Sequence, residues 1–167
     1  SLLASILREV VAAVRPGVTT AALDALARER MKQADAVPSF LGYHGYPAVL
    51  CTSVNDRIVH GIPSELESLR EGDIIGLDIG ISYHGVITDM AVTVGVGAIS
   101  KEAVRLLAVT REVLERAIRF LKPGVTTGDL GAHIQAFVES QGCSVIRDLV
   151  GHGVGKKVHE EPMIPNF

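Results

Sequence analysis

Two aspartates, Asp78 and Asp89, stand inside the otherwise apolar, β-branched stretch from Asp73 to Val94. A buried strand tolerates few acids, because an unpartnered carboxylate taken out of water must be protonated, paired with a cation or bound to a metal. No Lys or Arg occurs between Asp73 and Val96, so the stretch supplies no cation of its own. The two apolar runs meet at Ser82 to Gly85, the pattern of a β-hairpin. An even-numbered loop, Tyr83-His84 or Ser82 to Gly85, sets Asp78 directly opposite Asp89 with both side chains on one face. A three-residue loop using Gly85 as a bulge glycine sends them to opposite faces. Two readings stay open on these residues. Either a metal lies between the carboxylates, or one aspartate accepts backbone N–H bonds at a turn while the other faces water.

Three other places carry residues suited to chemistry. His152 lies in Gly151-His-Gly-Val-Gly155, where the glycines deny a helix and let the backbone approach another group closely. That glycine spacing fits neither the dinucleotide fingerprint nor the phosphate-binding loop, and His152 is better placed as a metal ligand. His60 ends an expected short strand in Ile58-Val-His60-Gly-Ile-Pro63, where a hydrogen-bonded loop histidine is the plain reading. Ser39 to Pro47 is a glycine- and tyrosine-rich loop of the kind that carries binding residues on a rigid scaffold.

The elements that must position these groups follow from periodicity. Leu3, Ile6, Leu7, Val10 and Val14 share one face of a helix over Leu2 to Val14, stopped by Pro16-Gly17. Thr19 and Thr20 offer capping hydroxyls to a second helix that ends near Ala34, and Ala48 to Val54 reads as a strand. A third helix runs from about Lys101 to Leu121, and Pro123-Gly-Val-Thr-Thr127 opens a fourth. The pentapeptide repeats Pro16-Gly-Val-Thr-Thr20 in the same context, which indicates internal duplication with halves of about 2–97 and 101–167 in one domain, 1–167. A duplicated α/β unit offers a cleft between its halves.

Composition narrows the function classes. A net charge of −3 gives no electrostatic case for a nucleic acid or a membrane surface as partner. Two cysteines are too few for a disulfide framework, and no apolar run reaches the roughly 18 residues of a membrane span, so a reducing, cytoplasmic setting is expected. The chain opens without Met inside an apparent helix and stops at Phe167 without a closing element, so it is expected to be cut at its C-terminal end.

In order along the chain come Tyr43-His-Gly-Tyr46, His60-Gly-Ile-Pro63, the Asp78/Asp89 hairpin, Gly151-His-Gly-Val-Gly155 and His159-Glu-Glu-Pro162. Together these motifs resemble the type I methionine aminopeptidases, members of the pita-bread metallopeptidases. The resemblance implies an α/β (α+β) pita-bread fold with two pseudo-symmetric helix-helix-strand halves around a mostly antiparallel sheet. It implies a monomer that removes the initiator methionine from N-terminal peptides of nascent proteins with a small second residue, close to the ribosome. Two divalent ions (Co, Mn, Fe or Zn) would sit on Asp78, Asp89 and His152 with two downstream glutamates, activating water for attack on the peptide carbonyl. His60 would hydrogen-bond the scissile amide nitrogen, and His159 would steady the carbonyl oxygen. Tyr43, Tyr46 and Cys51 would line the methionine pocket.

The chain departs from the pattern at Phe40, where some members carry a cysteine, and at Val158, where an aromatic is frequent. No residue up to Phe167 matches the two glutamates, and Glu160 and Glu161 belong to another motif, so the 167-residue chain alone is expected to be inactive. The fold also serves proline-specific peptidases and metal-free peptide-binding proteins, which are the alternative functions.

Overall fold

The computed structural model describes residues 1–167, which divide into two compact units. The first comprises Ser1–Ser100 with Val154–Val158, and the second comprises Lys101–Gly153 with His159–Phe167.

The first unit begins with helices α1 (Leu2–Ala12) and α2 (Thr20–Gln33), followed by strands β1 (Val37–Pro38), β2 (Leu50–Val54), β3 (Ile74–Tyr83) and β4 (Val86–Gly95). Helix α1 ends two residues earlier than its apolar periodicity suggests: its last turn tightens into i→i−3 bonds, Ala13 N to Val10 O and Val14 N to Val11 O, ahead of Pro16. Thr19 then caps α2, its side chain accepting from the Ala22 N–H at 3.2 Å. Strand β3 is the central strand of an antiparallel sheet, pairing with β4 along its whole length and with both β2 and β1.

Alternation along β3 separates two environments. Ile75, Leu77, Ile79 and Ile81 are almost fully buried and pack in one cluster with Leu3, Ile6, Leu7 and Val10 of α1 and Leu23, Ala27 and Met31 of α2. Gly76, Asp78, Gly80 and Ser82 take the opposite face. The core therefore anchors the sheet through one set of side chains and leaves the other set for different work.

Asp24 ties α2 to the start of β2. One carboxylate oxygen accepts from the backbone N–H groups of Val49 at 2.8 Å and Leu50 at 3.0 Å. Thr20, fully buried, holds the next loop by accepting from Ser64 N at 2.9 Å. Residues 58–60 form no strand, contrary to the short strand expected there. The segment meets β2 at Gly61, whose carbonyl accepts from Thr52 N at 2.8 Å and where a Cβ would collide with the Thr52 carbonyl.

The second unit holds helices α3 (Lys101–Phe120) and α4 (Thr127–Ser140) and a two-stranded sheet of β5 (Gly151–Gly153) and β6 (Glu160–Ile164). Helix α4 opens with a capping box: Thr126 accepts from Asp129 N, and the Asp129 carboxylate accepts from Thr126 N. The two Pro-Gly-Val-Thr-Thr turns thus share a backbone solution, with Gly17 and Gly124 at φ 86° and 92° and with Thr19 and Thr126 as caps.

Replacing Asp24 by Ala leaves two backbone N–H groups without their charged acceptor. Urea denaturation should show a loss of about 2 kcal/mol. An unchanged midpoint would contradict this role.

Candidate functional site

The β3–β4 hairpin closes through a two-residue turn. Tyr83 pairs with Val86, leaving His84 at φ 50° and Gly85 at φ 75°, the positive φ pair that favours a tight hairpin. The register differs from the expected one by a step of two. Asp78 faces Ala91 and Asp89 faces Gly80, so the two aspartates are diagonal neighbours rather than direct opposites. A shift of two preserves the face, and diagonal neighbours remain within side-chain reach.

The carboxylates do meet. Burial, then the Asp89 charge and its hydrogen bond, push the Asp78 carboxyl up to about 7, against the pull of the Ile79 N–H. Two acids pressed together on a half-buried face hold a proton in common or require a positive charge between them.

Around them the same face is apolar. Cys51 is the β2 partner of Asp78 and lies in a buried cluster with Phe40 and Val158, against which Tyr43, Tyr46 and Ile87 pack. Burial pushes the Cys51 thiol up to about 11, so it is a neutral wall of the cluster at ordinary pH. Burial also raises the Tyr46 phenol well above its usual range, and its hydroxyl reaches the carbonyl oxygens of Leu50 at 3.1 Å and Gly61 at 2.9 Å. That contact ties the tyrosine loop to the segment beside His60.

His60 is exposed, with a left-handed φ of 57°, and lines an open cleft of about 450 Å³ with Arg57, Gly61, Ile62, Ser64 and Glu67. Val158 reaches the cluster because its segment is fastened to the hairpin: Ile87 N donates to Gly155 O at 2.7 Å and Lys156 Nζ to Gly85 O at 3.4 Å.

In the second unit, His152 on β5 and His159 just before β6 place their rings 4.1 Å apart, centroid to centroid. Within the first unit the structure therefore gathers Asp78, Asp89, Cys51, Tyr43 and Tyr46 on one face and sets His60 on the loop tied to Tyr46. Neither unit by itself gathers three His, Cys, Asp or Glu side chains into a metal-holding group.

Residues 1–167 match metallopeptidase family M24 over their whole length. The chain belongs to this family. It is 47% identical over 155 residues to the methionine aminopeptidase of Clostridium acetobutylicum, covering 93% of this chain and 62% of that protein. Among solved structures it is similar to the methionine aminopeptidase of Thermotoga maritima, with a TM-score of 0.97 and 46% identity over 99% of this chain and 67% of that one. It is also similar to an X-Pro aminopeptidase from the same organism, with a TM-score of 0.81 and 26% identity over 99% of this chain and 45% of that one. The chain thus spans about 62% of the length of the curated relatives it matches. The fold is the α/β pita-bread architecture of these peptidases.

The family depends on a divalent metal, and the donor set fits one: two carboxylates on one sheet face whose mutual repulsion a cation relieves. Phe40 and Val158, the departures from the family pattern, lie in the apolar cluster itself. Only the resemblance marks these two positions: periodicity cannot find Phe40, which stands in a loop, and the partners of Val158 are more than 60 residues away in sequence.

The raised Asp78 carboxyl has a pH consequence. Between about pH 4 and about 7 the metal-free folded chain holds a proton that the unfolded chain releases, so this group's stabilising contribution falls as pH rises through that window. In EDTA, the urea midpoint of wild type should fall relative to that of Asp78→Asn as pH is raised from about 5 to about 8. Parallel pH profiles for the two chains would contradict the coupling.

Proposed function

We propose that the protein carrying these residues is a metal-dependent methionine aminopeptidase of the cytoplasm. It would release N-terminal methionine from nascent proteins and peptides whose second residue is small. The observation that carries this reading is the sheet face on which the Asp78/Asp89 pair adjoins the apolar cluster of Phe40, Cys51 and Val158.

Asp78, Asp89 and His152 would hold divalent ions such as Mn, Co, Fe or Zn, with two further glutamates that residues 1–167 do not match. Bound there, the metal supplies Lewis acidity toward the peptide carbonyl and toward water. The chain's own residues do the rest. Phe40, Cys51 and Val158, edged by Tyr43 and Tyr46, would receive the unbranched thioether of methionine and exclude water from it. His60 would hydrogen-bond the amide nitrogen of the bond to be cut, and His159 would donate to the carbonyl oxygen as negative charge gathers on it. The neutral Cys51 serves as wall and not as nucleophile.

The relatives that share 40% identity or more support methionine over proline specificity, since the X-Pro aminopeptidase stands at 26%. The protein extended through the two glutamates and supplied with Mn(II) or Co(II) should release Met from a Met-Ala-Ser peptide and leave an Xaa-Pro peptide intact. Asp89→Asn should lower the rate at least about a hundredfold. Turnover that survives this change, or preference for Xaa-Pro, would sink the assignment.

A further inference from the structure

Strand β1 pairs with β3 through Val37 with Ser82 and Pro38 with Ile81, and the next residue, Ser39, donates its N–H to Gly80 O at 3.1 Å. Gly80 is in turn the cross-strand partner of Asp89. Ser39, Gly80 and Asp89 therefore form one row across three strands, next to the row formed by Cys51, Asp78 and Ala91. Residues paired in a row share a face, so the Ser39 side chain stands on the face that carries the aspartates.

The middle of this row has no side chain. A Cβ on Gly80 would collide with Ser39 Oγ and come within 2.7 Å of Phe40 Cε1. The serine hydroxyl thus fills the space that a Gly80 side chain would take, with the Phe40 ring close over it. Ser39 Oγ is buried and has no hydrogen-bond partner. A buried hydroxyl left unpaired is costly and calls for an acceptor. The neighbour across the gap is Asp89, whose Cβ lies roughly 5 Å from the Gly80 position by ordinary cross-strand spacing, within reach of a carboxylate directly or through one water.

We propose that Ser39 is a positioning residue for Asp89, its hydroxyl donating across the gap left by Gly80 to orient the carboxylate as a metal ligand. The inference rests on the metal reading of Asp78 and Asp89 given above. A ligating carboxylate keeps lone pairs free of the metal, and a donor on those fixes its orientation. Glycine at 80 serves this arrangement: any side chain would displace the hydroxyl and the Phe40 ring together.

Co(II) binding to the protein extended through the two glutamates tests this, followed by calorimetry and by visible absorption of the ion. Ser39→Ala should weaken Co(II) about tenfold and alter its absorption bands. The same change should leave the thermal midpoint of the metal-free chain unchanged or raised, because an unsatisfied buried hydroxyl has been removed. Ser39→Thr keeps the hydroxyl and should recover most of the affinity. Wild-type affinity in Ser39→Ala, or equal losses in the Ala and Thr variants, would overturn the role of Ser39 alone. Absence of Co(II) binding to wild type would overturn the metal reading and this inference with it.

Discussion

Everything at the candidate site depends on the register between β3 and β4. The two-residue turn at His84-Gly85 sets it, and one residue more or less would carry Asp89 to the opposite face of its strand. The penalty for such a slip is double. It would bury an acid among Ile75, Leu77 and Ile79, and it would turn Val92 and Val94 away from the core they pack against. The hydrophobic core is thus what holds the carboxylates in place, from the opposite face of β3.

The pairings of β3 with β4, β2 and β1 together place the other features. Asp89 opposite Gly80 leaves an open place in the row, and Ser39 and Phe40 occupy it. Asp78 opposite Cys51 puts a thiol beside the acid, and Val158 closes the same cluster once Gly155 and Lys156 have fastened its segment to the hairpin. Half-buried acids beside an apolar cluster on one face are electrostatically costly by themselves. Their adjacency suits a site that binds a cation next to an apolar side chain.

Much of this was legible in the residues. The helices, the hairpin and the repeated Pro-Gly-Val-Thr-Thr turn announce themselves because period, caps and turn chemistry are local. The shared face of Asp78 and Asp89 was readable only as one of two outcomes, since a hairpin's register rests on the turn geometry that His84 and Gly85 adopt. The short strand expected at residues 58–60 does not form: the segment meets β2 at Gly61, whose carbonyl accepts from Thr52 N and whose N–H donates to Ser53 Oγ, contacts that local sequence does not encode. Ser39 could not be singled out at all, because its meaning comes from a row of three strands that are distant in the chain.

The most direct test of the account is a double-mutant cycle on the Mn(II) affinity of the protein extended through the two glutamates, comparing wild type with Asp78→Asn, Asp89→Asn and the double variant. If the two carboxylates share one cation, either single change removes most of the binding and the second adds little, so that the losses are strongly non-additive. Losses that simply add, or an affinity unmoved by either change, would mean that the two acids hold no common metal.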